Sequence, residues 1–124
     1  MRNYVAMLLI AGVLAGCSRK HVNDGFDQDA ESSLHVENHH WGDVDIYVVH
    51  DGQRSRLGTV TATTEQNFSL TSGLIGHSGT LQFLAHAVGM PGSLNSETIA
   101  IRPGGMQVNW VIESNMSRAV LSIY

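Results

Sequence analysis

The sequence predicts an all-β domain, a small antiparallel β-sandwich of about seven or eight strands, and three observations carry that prediction. Apolar and polar residues alternate with period 2 in short runs from Leu34 to the C-terminus. Gly, Asp, Asn and Pro stand between the runs, and no stretch of useful length repeats its apolar residues at helical spacing. Short strands at this spacing suit two packed sheets, with a small barrel as the other way to bury one face of each strand.

The elements follow in order. A strand near Leu34 to Asn38 puts Leu34 and Val36 on one face, and Val44 to His50 turns Val44, Ile46 and Val48 inward. Asp51-Gly52 then marks a two-residue hairpin, because both residues tolerate positive φ. Its returning strand covers about Gln53 to Thr61. Glu65 to Leu70 presents Phe68 and Leu70, and Thr80 to Val88 presents Leu81, Phe83, Ala85 and Ala87. Thr98 to Arg102 offers Ile99 and Ile101 before the turn Pro103-Gly104-Gly105. In Met106 to Glu113 the alternation is clearest, with Met106, Val108, Trp110 and Ile112 against Gln107, Asn109 and Glu113. Ala119 to Tyr124 closes the chain, Leu121 and Ile123 expected in the core, Val120 and Tyr124 outside.

Ahead of this domain the composition is of another kind. Arg2 supplies a positive start, Val5 to Leu14 is apolar, and the small residues Ala15 and Gly16 leave room for a peptidase, which is the grammar of a secretory signal. As a helix, Val5 to Cys17 reaches only about 20 Å at roughly 1.5 Å per residue, against a hydrocarbon core of roughly 30 Å, so it is too short to span. Cys17 is the only cysteine of the chain and cannot pair within it. The run Leu14-Ala15-Gly16-Cys17 resembles the lipobox of bacterial lipoproteins. That resemblance implies residues 1–16 as a signal peptide, cleavage between Gly16 and Cys17, and lipid on the Cys17 thiol. It also implies a cell-envelope location, and Ser18 after the cysteine favours the outer membrane over the inner one. Two or more acyl chains anchor a protein stably where one does so only marginally.

From Ser18 to Ser33 charged and polar residues dominate without a period, so residues 17–33 read as the lipidated cysteine and a flexible tether. A coil of that length has a root-mean-square span of about 22 Å, which keeps the domain, residues 34–124, close to the membrane. Asp24, Asp27, Asp29 and Glu31 lack the ordered spacing of a calcium loop. In the domain itself, the order Val44, Asp51-Gly52, Leu57-Gly58-Thr59-Val60, Ser69-Leu70, Gly79-Thr80-Leu81 and Pro103-Gly104 resembles small transthyretin-like or immunoglobulin-like sandwiches of bacterial envelope proteins. The PEGA-type repeats share that order, although the Pro-Glu-Gly-Ala signature is missing here. Such a likeness implies a fold and carries no function with it.

Chemistry has few footholds. The 7 basic side chains against 11 acidic ones give a formal charge of −4 in a chain of 124 residues, which excludes a nucleic-acid partner resting on a basic stripe. No nucleophile elbow or phosphate cradle is present, and Asp43 with Asp45 reads as a solvated strand edge, so no catalytic residue and no cofactor are expected. The 7 histidines are expected to be dispersed, with no metal site. The alternative is a small-ligand or metal site built from His35, His39 and His40 near one sheet end. Binding is the expected role. The membrane is reached through the lipid, and an envelope protein partner is expected on outward-facing Tyr47, Val49, Leu84 and Val111, or on the loops Thr71 to Gly79 and Gly89 to Asn95 that carry Leu74, Ile75 and Met90.

Overall fold

A computed structural model describes residues 31–102 and 105–124. It is an all-β sandwich of two sheets. The first sheet has the order β4-β1-β8-β9, formed by Glu65–Leu70, Ser32–Asn38, Gln107–Ile112 and Ala119–Ile123. The second has the order β3-β2-β5-β6, formed by Gln53–Val60, Val44–His50, Thr80–Ala87 and Ser93–Asn95, with the two-residue β7, Ile99–Ala100, on the free half of β5. A single helical turn, α1 (Ser72–Ile75), lies between β4 and β5. The lipobox, the cleavage site at Gly16 and Cys17, and nearly all of the tether lie outside the described residues. The strand β1 starts at Ser32, two residues inside the stretch read as tether. No helix among the described residues is long and apolar enough to cross a membrane.

Alternation produces the core. Leu34 and Val36 of β1, Val108, Trp110 and Ile112 of β8, and Phe68 and Leu70 of β4 meet Val44, Ile46 and Val48 of β2, Val60 of β3 and Leu81, Phe83 and Ala85 of β5. Trp110 lies against Phe83 of the opposite sheet, ring centroids 5.9 Å apart and tilted by 34°, and is wholly buried. The hairpin turn is as expected, with Asp51 at φ 47° and Gly52 at φ 74°, the left-handed pair that matches strand twist. A bulge between Ile46 and Tyr47 skips Leu57, so that Gly58 faces Ile46. A β-carbon on Gly58 would stand 2.9 Å from the Phe68 ring, so glycine lets that ring cover the bulge.

Three expectations are corrected. The sandwich is not wholly antiparallel: β1 runs parallel to β8, a pairing across which the chain visits the other sheet first. Among the described residues a ninth strand, β6, lies within the expected loop Gly89 to Asn95, while Thr98 to Arg102 shrinks to β7. The break between β6 and β7 is sealed by Ser96, whose hydroxyl accepts the Phe83 N–H while its own N–H donates to the Phe83 carbonyl. Third, Ile123 is 47% exposed although it pairs with buried Val108 on the core side. The parity holds, but β9 is an edge strand with β8 as its one neighbour in the sheet, and Ile123 is the last residue of that strand.

Candidate functional site

The outward residues divide between two faces. Tyr47 pairs with Leu84 and Val49 with Gln82 on the outer face of the second sheet, where all three apolar residues are half-buried. The Arg54 guanidinium lies 4.9 Å above the Tyr47 ring and covers part of it. Val111 stands instead between Glu37 and Val120 on the outer face of the first sheet, so it cannot belong to that patch. Stacked sheets lie roughly 10 Å apart, and alternation reports only the side of a strand, never the sheet it joins.

A different surface gathers at the end where β1 finishes. The chain enters at Ser32, and seven residues of β1 carry it about 23 Å at roughly 3.3 Å per residue to the opposite end. There Trp41 is 71% exposed, with Val88 and Met90 also open. The Trp41 ring lies 5.0 Å from His40, and His40 shares a cavity with Met90, Pro91, Asn115 and Met116. The Val88 N–H donates to the Asp43 carbonyl, tying the two loops together.

This end is held by a residue that the sequence reading passed over. Asn38 is fully buried, and its amide nitrogen lies within 3.0–3.3 Å of the carbonyls of Gly42, Val60 and Thr61, while its oxygen accepts the His40 N–H at 2.9 Å. His40 is buried too, its Nδ1 accepting the Gly42 N–H at 3.1 Å. The ring is therefore a strut of the loop, and His40 does not join His35 and His39. Buried groups with their hydrogen bonds satisfied make a loop rigid, and here the rigid loop carries Trp41.

His35 and His39 do come together, around carboxylates that the sequence reading left out. Alternation puts His35 and Glu37 on the outer face of β1, and pairing with β4 sets Glu37 directly opposite Glu65. His35 Nε2 lies 3.4 Å from Glu65 and 3.9 Å from Glu37, and His39 Nε2 lies 3.4 Å from the other oxygen of Glu37. Asn67 accepts from His35 Nδ1 at 2.7 Å, and Asn109 reaches Glu37 at 3.4 Å. Glu37 and Glu65 were hidden because nothing local announces that β4 borders β1.

At the opposite end, the loop Thr71 to Gly79 turns Ile75 toward the core and closes over the hairpin. The Asp51 carboxylate accepts the His77 backbone N–H at 2.8 Å, which, with the Ser78 hydroxyl, holds its pKa below the ordinary 3.8. Asp45 is lowered likewise, first by the Thr59 hydroxyl and then by Arg56 at 2.8 Å. A carboxyl depressed in the folded state contributes stability above its unfolded pKa and loses it as pH falls through the folded one. Thermal melts are therefore expected to drop in acid below about pH 4, and Asp51→Asn should flatten that drop. An unchanged acid profile in the variant would remove Asp51 from the account.

No protein-family model matches the chain, and no curated protein matches it. Among solved structures, the NMR structure of a protein from Eubacterium rectale is similar over 79% of this chain and 90% of that one, with 13% identity and a TM-score of 0.46.

Proposed function

We propose that this chain is a lipid-anchored lipoprotein of the bacterial cell envelope whose β-sandwich is a non-catalytic interaction module. The lipobox-like Leu14-Ala15-Gly16-Cys17 supports the anchor, and Ser18 supports retention at the outer membrane. The observation that carries the interaction reading is Trp41, presented open on a braced loop beside Val88 and Met90, at the end of the sandwich remote from chain entry. Aromatic side chains in such positions are the usual anchors of protein interfaces, because they bring large apolar area with few torsions to freeze. Anchoring behind β1 leaves this end free to meet a neighbouring envelope protein.

Crosslinking in native membranes tests the reading. Trp41→Ala is expected to leave the melting temperature within about a degree, since an exposed side chain contributes little to the core, and to remove the main crosslinked species. Replacing Tyr47, Val49 and Leu84 with polar residues should leave that species in place. Persistence of the crosslink in Trp41→Ala, with loss in the triple variant, would move the interface to the outer face of the second sheet. Persistence in both would refute the interaction reading at these surfaces.

A further inference from the structure

We infer that His35, Glu37 and Glu65 form a binding site for a divalent cation of the zinc class, with a fourth position beside His39. Nothing in this inference depends on where the chain is anchored or on Trp41.

The argument starts from a proton. Asn67 Oδ1 is only an acceptor, so the 2.7 Å contact fixes the proton of His35 on Nδ1. In the neutral ring the lone pair then lies on Nε2, and Nε2 faces Glu65 at 3.4 Å and Glu37 at 3.9 Å. A lone pair set against two carboxylates is repulsive, and the arrangement calls for positive charge among the three. A hydrogen-bonded partner of this kind on the far nitrogen is also what orients histidine ligands toward metals.

The separations also suit ligands gathered around one metal ion. Charge-assisted N–H···O contacts settle at about 2.7–2.9 Å, well inside the separations found here. A tetrahedral ion with bonds of roughly 2.0–2.2 Å instead holds its ligand atoms roughly 3.3–3.6 Å apart. The His35 to Glu65 edge fits, and His39 lies 3.4 Å from the Glu37 oxygen other than the one that faces His35. The three ligand atoms of His35, Glu37 and Glu65 lie within 4.8 Å of one another, so the 3.9 Å His35 to Glu37 edge and the Glu37 to Glu65 edge must close by up to roughly an ångström for one ion to take all three. Both glutamates keep solvent contact and can supply that closure. A cavity of about 150 Å³ opens beside the two glutamates, lined by Glu37, Asn38, His39, Thr63, Thr64 and Glu65.

The donor set chooses the ion. Imidazole nitrogen with carboxylate oxygen suits zinc and its borderline neighbours, whereas magnesium and calcium prefer oxygen alone. The fold supports the site at three levels. His35 and Glu37 are separated by one residue on a strand, so both face outward. Glu65 is placed by the β1–β4 register, and Asn109 of β8, on the other side of β1, donates to Glu37.

The test uses the untagged full-length protein in detergent, first stripped with a chelator and then titrated with Co(II) and with Zn(II). One equivalent of Co(II) is expected to give the visible absorption of a low-coordinate site, and Zn(II) is expected to displace it. Zinc in excess should raise the melting temperature by several degrees, as binding to the folded state alone requires. His35→Gln and the near-isosteric Glu65→Gln should each weaken binding about tenfold or more, whereas His77→Gln should not. In ring-proton spectra, zinc should shift the His35 and His39 signals and leave those of His86 in place. Absence of a saturable Co(II) spectrum would overturn the inference and leave a plain histidine–carboxylate ion pair. So would stoichiometric binding that survives both His35→Gln and Glu65→Gln.

Discussion

Trp110→Ala is expected to destabilise the domain by about 3–5 kcal/mol, the cost of truncating a large aromatic in a closed core. Trp110 sits in β8 between Val36 of β1 and Leu121 of β9, and its ring meets Phe83 across the sandwich. Its neighbours are anchored in two different sheets, so collapse into the vacated space would require the sheets to move together. That movement is resisted by every other contact between them. A domain of this size is stable by only about 5–15 kcal/mol, so this one truncation removes a large share of the total. Denaturant melts should show a lower midpoint with an unchanged slope. The contrast with Trp41→Ala is part of the prediction, since the two tryptophans differ in burial from none exposed to 71% exposed. Equal effects of the two substitutions would show the core assignment to be wrong.

Cys17→Ala has the largest expected effect on location. Lipid transfer to a lipobox needs the thiol, and alanine offers no nucleophile, so metabolic lipid labelling should fall to background and uncleaved precursor should accumulate. The chain contains no second cysteine to take over. A mature-sized Cys17→Ala species that still fractionates with membranes would defeat the lipoprotein reading. Ser18→Asp is expected to shift the protein toward the inner membrane where the sorting residue is read, with Cys17 lipidation unaffected.

How much of this was legible before the structure differs from element to element. Val44 to His50 and Glu65 to Leu70 match β2 and β4 at both ends, and Asp51-Gly52 forms the expected turn. These are local properties, set by side-chain period and by φ tolerance within a few residues. β6 escaped notice because its three residues carry too little alternation, and it forms only because β5 offers an edge to pair with. Alternation sets His39 and His40 on opposite sides, against a shared site, and in the structure His40 turns inward and braces the loop.

By itself the sequence determined the strand faces, the hairpin turn and the composition break ahead of the domain, along with the lipobox resemblance at Cys17. Tertiary structure alone decided that β1 lies between β4 and β8. That placement brought Glu65 to His35 and Glu37, separated Val111 from Tyr47 and Leu84, and set Trp41 at the end remote from Ser32. The reason is the range of the forces involved. Alternation and turn preference act between near neighbours in the chain, whereas strand order follows from which apolar faces close one core together, a property of the whole domain.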